Sequence, residues 1–183
     1  MKHLLSVILF WAMATSMVSA QKYFTKTGQI SFNANTSIEK IEAINKSASC
    51  VMDVETGKIE FGVLVKGFQF EKALMQEHFN ENYLESSKFP KATFKGQIDN
   101  YKKIDTTKDI KVPVKVTGDL TIHGVTKKIT TDGTIQVKSG KLQLSSMINV
   151  LLADYKVSVP ALVKDQISKT VKIQIDATLE PLK

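Results

Sequence analysis

From Lys111 to His123 the side chains alternate, apolar then polar, for more than ten residues. Val112, Val114, Val116, Leu120 and Ile122 fall on one side; Lys111, Lys115, Thr117, Asp119 and Thr121 fall on the other. Successive residues of a strand point to opposite faces, so this rhythm predicts a strand with one buried and one wet face. Gly118 lies on the apolar face, where a missing side chain permits a bend or close packing.

The rhythm recurs along the chain. Ile59, Phe61, Val63 and Val65 alternate with Lys58, Glu60 and Lys66, with Leu64 as an exception. Ile129, Ile135 and Val137 oppose Lys128, Thr130, Asp132 and Gln136. Leu142, Leu144, Ile148 and Val150 follow, then Val171, Ile173, Ile175, Ala177 and Leu179. Weaker strands are read at 28–33, 48–54 and 91–99. Thr56-Gly57, His123-Gly124 and Ser139-Gly140 supply turns between them, and short links imply antiparallel neighbours. Residues 70–84 lack the rhythm. There Phe70, Leu74 and His78, and Met75, Phe79 and Tyr83, repeat every four residues, which predicts an amphipathic helix. Phe89-Pro90 ends it. Residues 153–169 are read as a loop around Pro160 with one short element.

The expectation is an all-β fold with one helix: a closed antiparallel barrel of about eight strands. A sheet this large with one apolar face must pack on a second sheet or close on itself, and closure removes exposed edges. The N-terminus reads as an address. Lys2 and His3 precede an apolar run, Leu4 to Ala14, and Val18-Ser19-Ala20 offers small residues for cleavage before Gln21. We expect residues 1–20 to be a signal peptide and 21–183 one barrel domain. The residue after the cut is Gln21, not Cys, so no lipoprotein anchor is expected. No later stretch is apolar enough for stable membrane insertion.

The net charge of +7 rests on lysine alone, because the 183 residues contain no arginine. Nucleic acid and phosphate recognition favour the guanidinium fork, so no nucleic-acid partner is expected. The lysines read first as a solvated surface, second as a weak attraction to anionic lipid headgroups. A homodimer stays open. The single cysteine, Cys50, can form no internal disulfide and is read as a small buried hydrophobe.

The run from Val116 to Lys127, containing Thr117-Gly118-Asp119-Leu120-Thr121-Ile122-His123-Gly124-Val125-Thr126, resembles the signature of the YceI-like family. Glu77-His78-Phe79, Lys88-Phe89-Pro90-Lys91-Ala92-Thr93-Phe94 and Gly57-Lys58-Ile59-Glu60-Phe61 resemble other stretches of it in the same order. The resemblance implies a lipocalin-like barrel that binds a polyisoprenoid chain, such as a quinone tail, in the periplasm. The sequence shows no Gly-x-Ser-x-Gly elbow, no phosphate loop and no glycine fingerprint, so a binding protein rather than an enzyme is expected, with no cofactor beyond a bound lipid or quinone. Two departures bear on the lipid's head group. The first strand, Ile30 to Thr36, carries no histidine, and Ile148 to Tyr155 replaces an arginine-containing stretch.

The expected lumen residues are Phe61, Val63, Val65, Phe94, Val116, Leu120, Ile122, Ile135, Leu144, Ile148 and Ile173. Phe70, Leu74, Met75, His78 and Phe79 are the expected lid at the mouth. Burying roughly 400 Å² of tail at about 25 cal/mol per Å² gives on the order of 10 kcal/mol. Association costs take back half or more, which leaves about micromolar binding without any polar motif. Two alternatives accompany this reading. One is a structural barrel filled by its own side chains. The other is a metal enzyme built on His78 and His123 with Glu77, Asp119 or Asp154, for which no ligand spacing is present.

Overall fold

The computed structural model describes residues 22–182. The expected signal segment and its cleavage point lie outside the described residues. The strands are β1 (Lys22–Asn33), β2 (Glu42–Asp53), β3 (Lys58–Leu64), β4 (Gln69–Phe70), β5 (Lys91–Ile98), β6 (Ile110–Ile122), β7 (Val125–Lys138), β8 (Lys141–Leu151) and β9 (Thr170–Pro181). They pair antiparallel in the order β1-β9-β8-β7-β6-β5-β3-β2, and β1 pairs with β2 to close the ring. The two-residue β4 adds only Ala43↔Phe70 and Ile44↔Gln69 to β2, past the end of β3. The ring therefore closes with eight wall strands, each paired on both sides over at least part of its length, and every one of them lies within 22–182. The sole α-helix among the described residues, α1 (Ala73–His78), runs into a π-helical turn, Phe79–Tyr83.

Two hairpins follow directly from their turn residues. His123 and Gly124 have φ of 50° and 72°, and Ser139 and Gly140 have 50° and 74°. Positive φ at both central residues is the type I′ turn, whose twist matches that of the flanking strands. The β6–β7 ladder then runs unbroken from Ile110↔Val137 to Ile122↔Val125.

One end of the barrel is filled. Tyr23, Cys50, Met52, Ile98, Ile135, Val137, Leu142 and Leu179 form a cluster, each at most 1% exposed. They come from the first residues of β1 and β8 and the last of β2, β5, β7 and β9, so they meet at the same end. Burial pushes the Cys50 thiol well above its ordinary range, so it stays protonated and acts as an apolar group. The opposite end is bounded by the β1–β2 loop, the 65–90 connection, the His123-Gly124 turn and the 152–169 connection.

Between the ends, Gly96 of β5 and Gly118 of β6 are register partners. The Phe94 ring lies across both. A Cβ at Gly96 would come within 2.5 Å of that ring, and one at Gly118 within 2.7 Å. At Gly118 it would also collide with the Lys95 carbonyl oxygen, which cannot move aside as a side chain could. Gly118→Ala is therefore expected to cost about 1–3 kcal/mol, read by urea unfolding; an unchanged midpoint would contradict this account of the glycine pair.

Several elements differ from their sequence readings. β1 and β2 start earlier than the expected 28–33 and 48–54. The helix is shorter than the expected 70–84. Phe70 pairs in β4 instead, its N–H donating to the Gln76 side chain at 3.2 Å. The 152–169 connection holds two 3-10 turns, Leu152–Tyr155 and Ala161–Val163, rather than one element.

Candidate functional site

The unfilled end of the barrel encloses a cavity of about 570 Å³. Its wall is built from register neighbours that share the inner face. Phe61↔Phe94 joins β3 to β5, and Phe94↔Leu120 joins β5 to β6. Ile135↔Leu144 joins β7 to β8, and Ile148↔Ile173 joins β8 to β9. All eleven positions expected in the lumen border this cavity. Val63, Val65, Val116, Leu120, Ile135 and Leu144 are buried. Phe61, Phe94, Ile122, Ile148 and Ile173 are half-buried.

The roof comes from β4, α1 and the start of the π-helical turn. Phe70, Leu74, Met75, His78 and Phe79 all border the cavity. Phe79 meets Phe32, Phe68 and Phe70 with ring centroids 5.5, 5.7 and 5.0 Å apart. Edge and offset contacts of this kind hold a roof in place while presenting only apolar surface below it. Among the polar lining residues, Lys72 (paired with Glu39 at 2.9 Å), His78 and Gln166 lie on the mouth segments, whereas Thr93, Thr131, Thr134, Ser145 and Ser146 lie on the wall strands.

A seam interrupts the wall. Gly133↔Ser146 is the last β7–β8 pair on that side, and Val125–Asp132 parts from β8. Thr131 Oγ1 donates to the Met147 carbonyl at 3.2 Å, and Ser146 Oγ to the Asp132 carbonyl at 2.8 Å. The 3-10 turn Leu152–Tyr155 packs beside the parted strand, with Lys127 reaching Asp154 at 3.9 Å. Burial, reinforced by Asp154, raises the Tyr155 phenol above its usual range and keeps it neutral.

His123 ties the mouth segments together. Its side chain is 9% exposed. Nδ1 donates to the Tyr155 carbonyl at 3.1 Å, and Nε2 lies 2.7 Å from a Glu85 carboxylate oxygen. Phe89 packs edge-on against the ring, with centroids 4.7 Å apart. Both nitrogens are thus engaged by protein, an arrangement for holding loops. No group of three or more His, Cys, Asp or Glu among the described residues could hold a metal ion, and the metal-enzyme alternative gains no support.

The model of the YceI-like domain family matches residues 12–179. The chain belongs to the YceI-like family. A polyisoprenoid binding domain from Saccharophagus degradans, implicated in plant cell wall breakdown, superposes with a TM-score of 0.77 and 16% identity, over 88% of this chain and 98% of that one. BcnA of Burkholderia cenocepacia gives 0.68 and 16%, over 83% and 95%. The YCEI protein of Campylobacter jejuni gives 0.61 and 22%, over 81% and 89%. At these identities the likeness is one of fold. No curated protein matches the chain at a significant level.

The cavity of this YceI-like barrel also has lining residues beyond those expected from the sequence. Phe32 and Phe68 complete the aromatic roof, and Tyr83, Val157, Val163 and Ile167 close the rim. The alternation of Ile30 with Phe32 was a usable signal. Phe68, Val157, Val163 and Ile167 sit in turns and carry no periodicity at all.

Proposed function

We propose that this chain is an exported, non-enzymatic carrier or reservoir of an isoprenoid-type lipid in the periplasm. The observation that carries this reading is the apolar cavity of about 570 Å³ open at one end of a closed barrel. That size lies within the roughly 300–1,000 Å³ range of ligand pockets. The polyisoprenoid binding domain with the same fold supports an isoprenoid tail over a generic acyl chain. The Lys72–Glu39 pair, His78 and Gln166 at the rim are suited to a polar head group left outside. Export rests on Lys2, the Leu4 to Ala14 run and Val18-Ser19-Ala20. A structural barrel requires a filled interior, and this one is filled at one end only.

The test is organic extraction of residues 21–183, purified without detergent, followed by mass spectrometry. A stoichiometric prenol or quinone is expected. Protein that holds no lipid and refuses added quinone would overturn the carrier reading.

A further inference from the structure

The rim of the cavity is also where the barrel exposes large apolar side chains on protruding segments. Leu162 is 92% exposed in the 152–169 connection, Ile38 67% in the β1–β2 loop and Leu74 61% on α1. The first two segments are stitched together. Ser168 N–H donates to the Ala34 carbonyl at 3.1 Å and Thr36 Oγ1 to the Gln166 carbonyl at 3.4 Å. The turns 54–57, 99–109 and 139–140 at the filled end carry no exposed large apolar side chain; Val51, Ile110 and Leu182 are exposed there, on or beside strand ends.

Charge divides the rim into two sides. Lys156, Lys164 and Lys169 are exposed on the connection, and no described ion pair engages them. Asp154 is answered by Lys127, which leaves Asp165 as the one opposing acid on that segment. Around α1 the balance reverses: Glu71, Glu77 and Glu81 are exposed with Lys66 as the one lysine beside them, and Lys72 is held by Glu39. The connection also has two faces. Val163, Gln166 and Ile167 border the cavity, whereas Leu162 and Lys164 point to solvent.

We propose that the 152–169 connection docks the barrel on the headgroup layer of an anionic bilayer, with Leu162 inserted, Ile38 beside it and Lys156, Lys164 and Lys169 on the phosphates. The proposal rests on the lipid-carrier reading, because a water-insoluble ligand must pass between bilayer and lumen. An exposed apolar residue among lysines is the composition of an interfacial anchor, and each lysine adds attraction that salt screens. Leu162 adjoins Val163, which with Ile167 borders the cavity, so apolar side chains lead from the docking face to the lumen. The acidic α1 side tilts away from the surface.

The test is co-sedimentation of residues 21–183 with phosphatidylcholine vesicles, with and without phosphatidylglycerol. Binding is expected only with phosphatidylglycerol, and weaker at high salt. Leu162→Asp is expected to weaken it at least about tenfold, and Lys164→Gln/Lys169→Gln several-fold. Lys102→Gln/Lys103→Gln removes the same charge at the filled end and is expected to leave it unchanged. No vesicle binding by the unsubstituted chain, full binding by Leu162→Asp, or an equal loss in the Lys102/Lys103 variant would each overturn the docking surface. Farnesol uptake from solution, followed by the rise in melting temperature, separates the two ideas. Uptake without vesicle binding overturns docking alone, and vesicle binding without uptake overturns the lumenal reading alone.

Discussion

Ile173→Trp is expected to abolish lipid capture while leaving the barrel folded. Ile173 stands at the centre of the cavity wall, opposite Phe32 on β1 and Ile148 on β8. It packs against both apolar clusters on the hollow side. An indole there takes space that a tail would occupy. Overpacking a filled core costs about 1–3 kcal/mol because neighbours must move. Here the added volume enters an existing void of about 570 Å³, so the melting temperature should move by only a few degrees. Binding should weaken by tenfold or more, the equivalent of about 1.4 kcal/mol or more. Titration with a prenol or quinone beside a thermal melt decides it. A variant that binds as tightly as the parent would mean that the tail does not use this part of the lumen.

The opposite result is expected at the other end of the same strand. Leu179→Ala should destabilise the fold by about 3–5 kcal/mol, at the upper end of large-to-small core substitutions. Leu179 is 0% exposed and is paired with Leu142, also 0% exposed, inside the packed cluster. Nothing at that end is free to collapse into the vacated space, so the whole cavity term is felt. Ile173→Ala should cost clearly less, because Ile173 already faces a void and few new contacts are lost. Denaturant unfolding of both variants measures the contrast, and equal losses would refute the division of the barrel into a filled and a hollow end.

How much of this was readable follows from where the alternation stays in phase. In β6 the rhythm is unbroken from Val112 to Ile122, and Val116, Leu120 and Ile122 all reach the cavity. An inner-face residue of a closed barrel has nowhere else to go, so choosing the correct phase was enough to find the lumen. β1 and β2 hid their first halves by changing phase. In β1 the buried positions are Tyr23 and Thr25, then Gly28 and Ile30, with the switch across Lys26 and Thr27. The register slips there against β2. A bulge of this kind moves every following residue to the other face and breaks a period-two reading. β2 switches likewise between Asn45 and Ala48, and its inward Asn45 looks polar in sequence. That amide is fully buried, yet it is satisfied by the Leu64 carbonyl and the Ser47 N–H. The helix is shorter than its periodicity suggests, because Phe70 pairs with Ala43 in β4 instead of entering a first helical turn. The rim turns were illegible, since Val157, Val163 and Ile167 reach the cavity through irregular backbone rather than through any repeat.

The filled and hollow ends also assign different clocks to the two halves of the molecule. Amide exchange and local opening follow the density of buried contacts, so a segment with few of them opens without global unfolding. Around the mouth, helix α1 buries none of its residues and the second 3-10 turn of the 152–169 connection buries none either. The ladders that meet at Met52, Ile98 and Leu179 hold fully buried side chains. Loading and release can then proceed through excursions of the rim that leave these ladders intact. The rate at which the barrel exchanges its cargo is thereby set apart from the rate at which it unfolds, and a carrier built this way can be quick at one end and durable at the other.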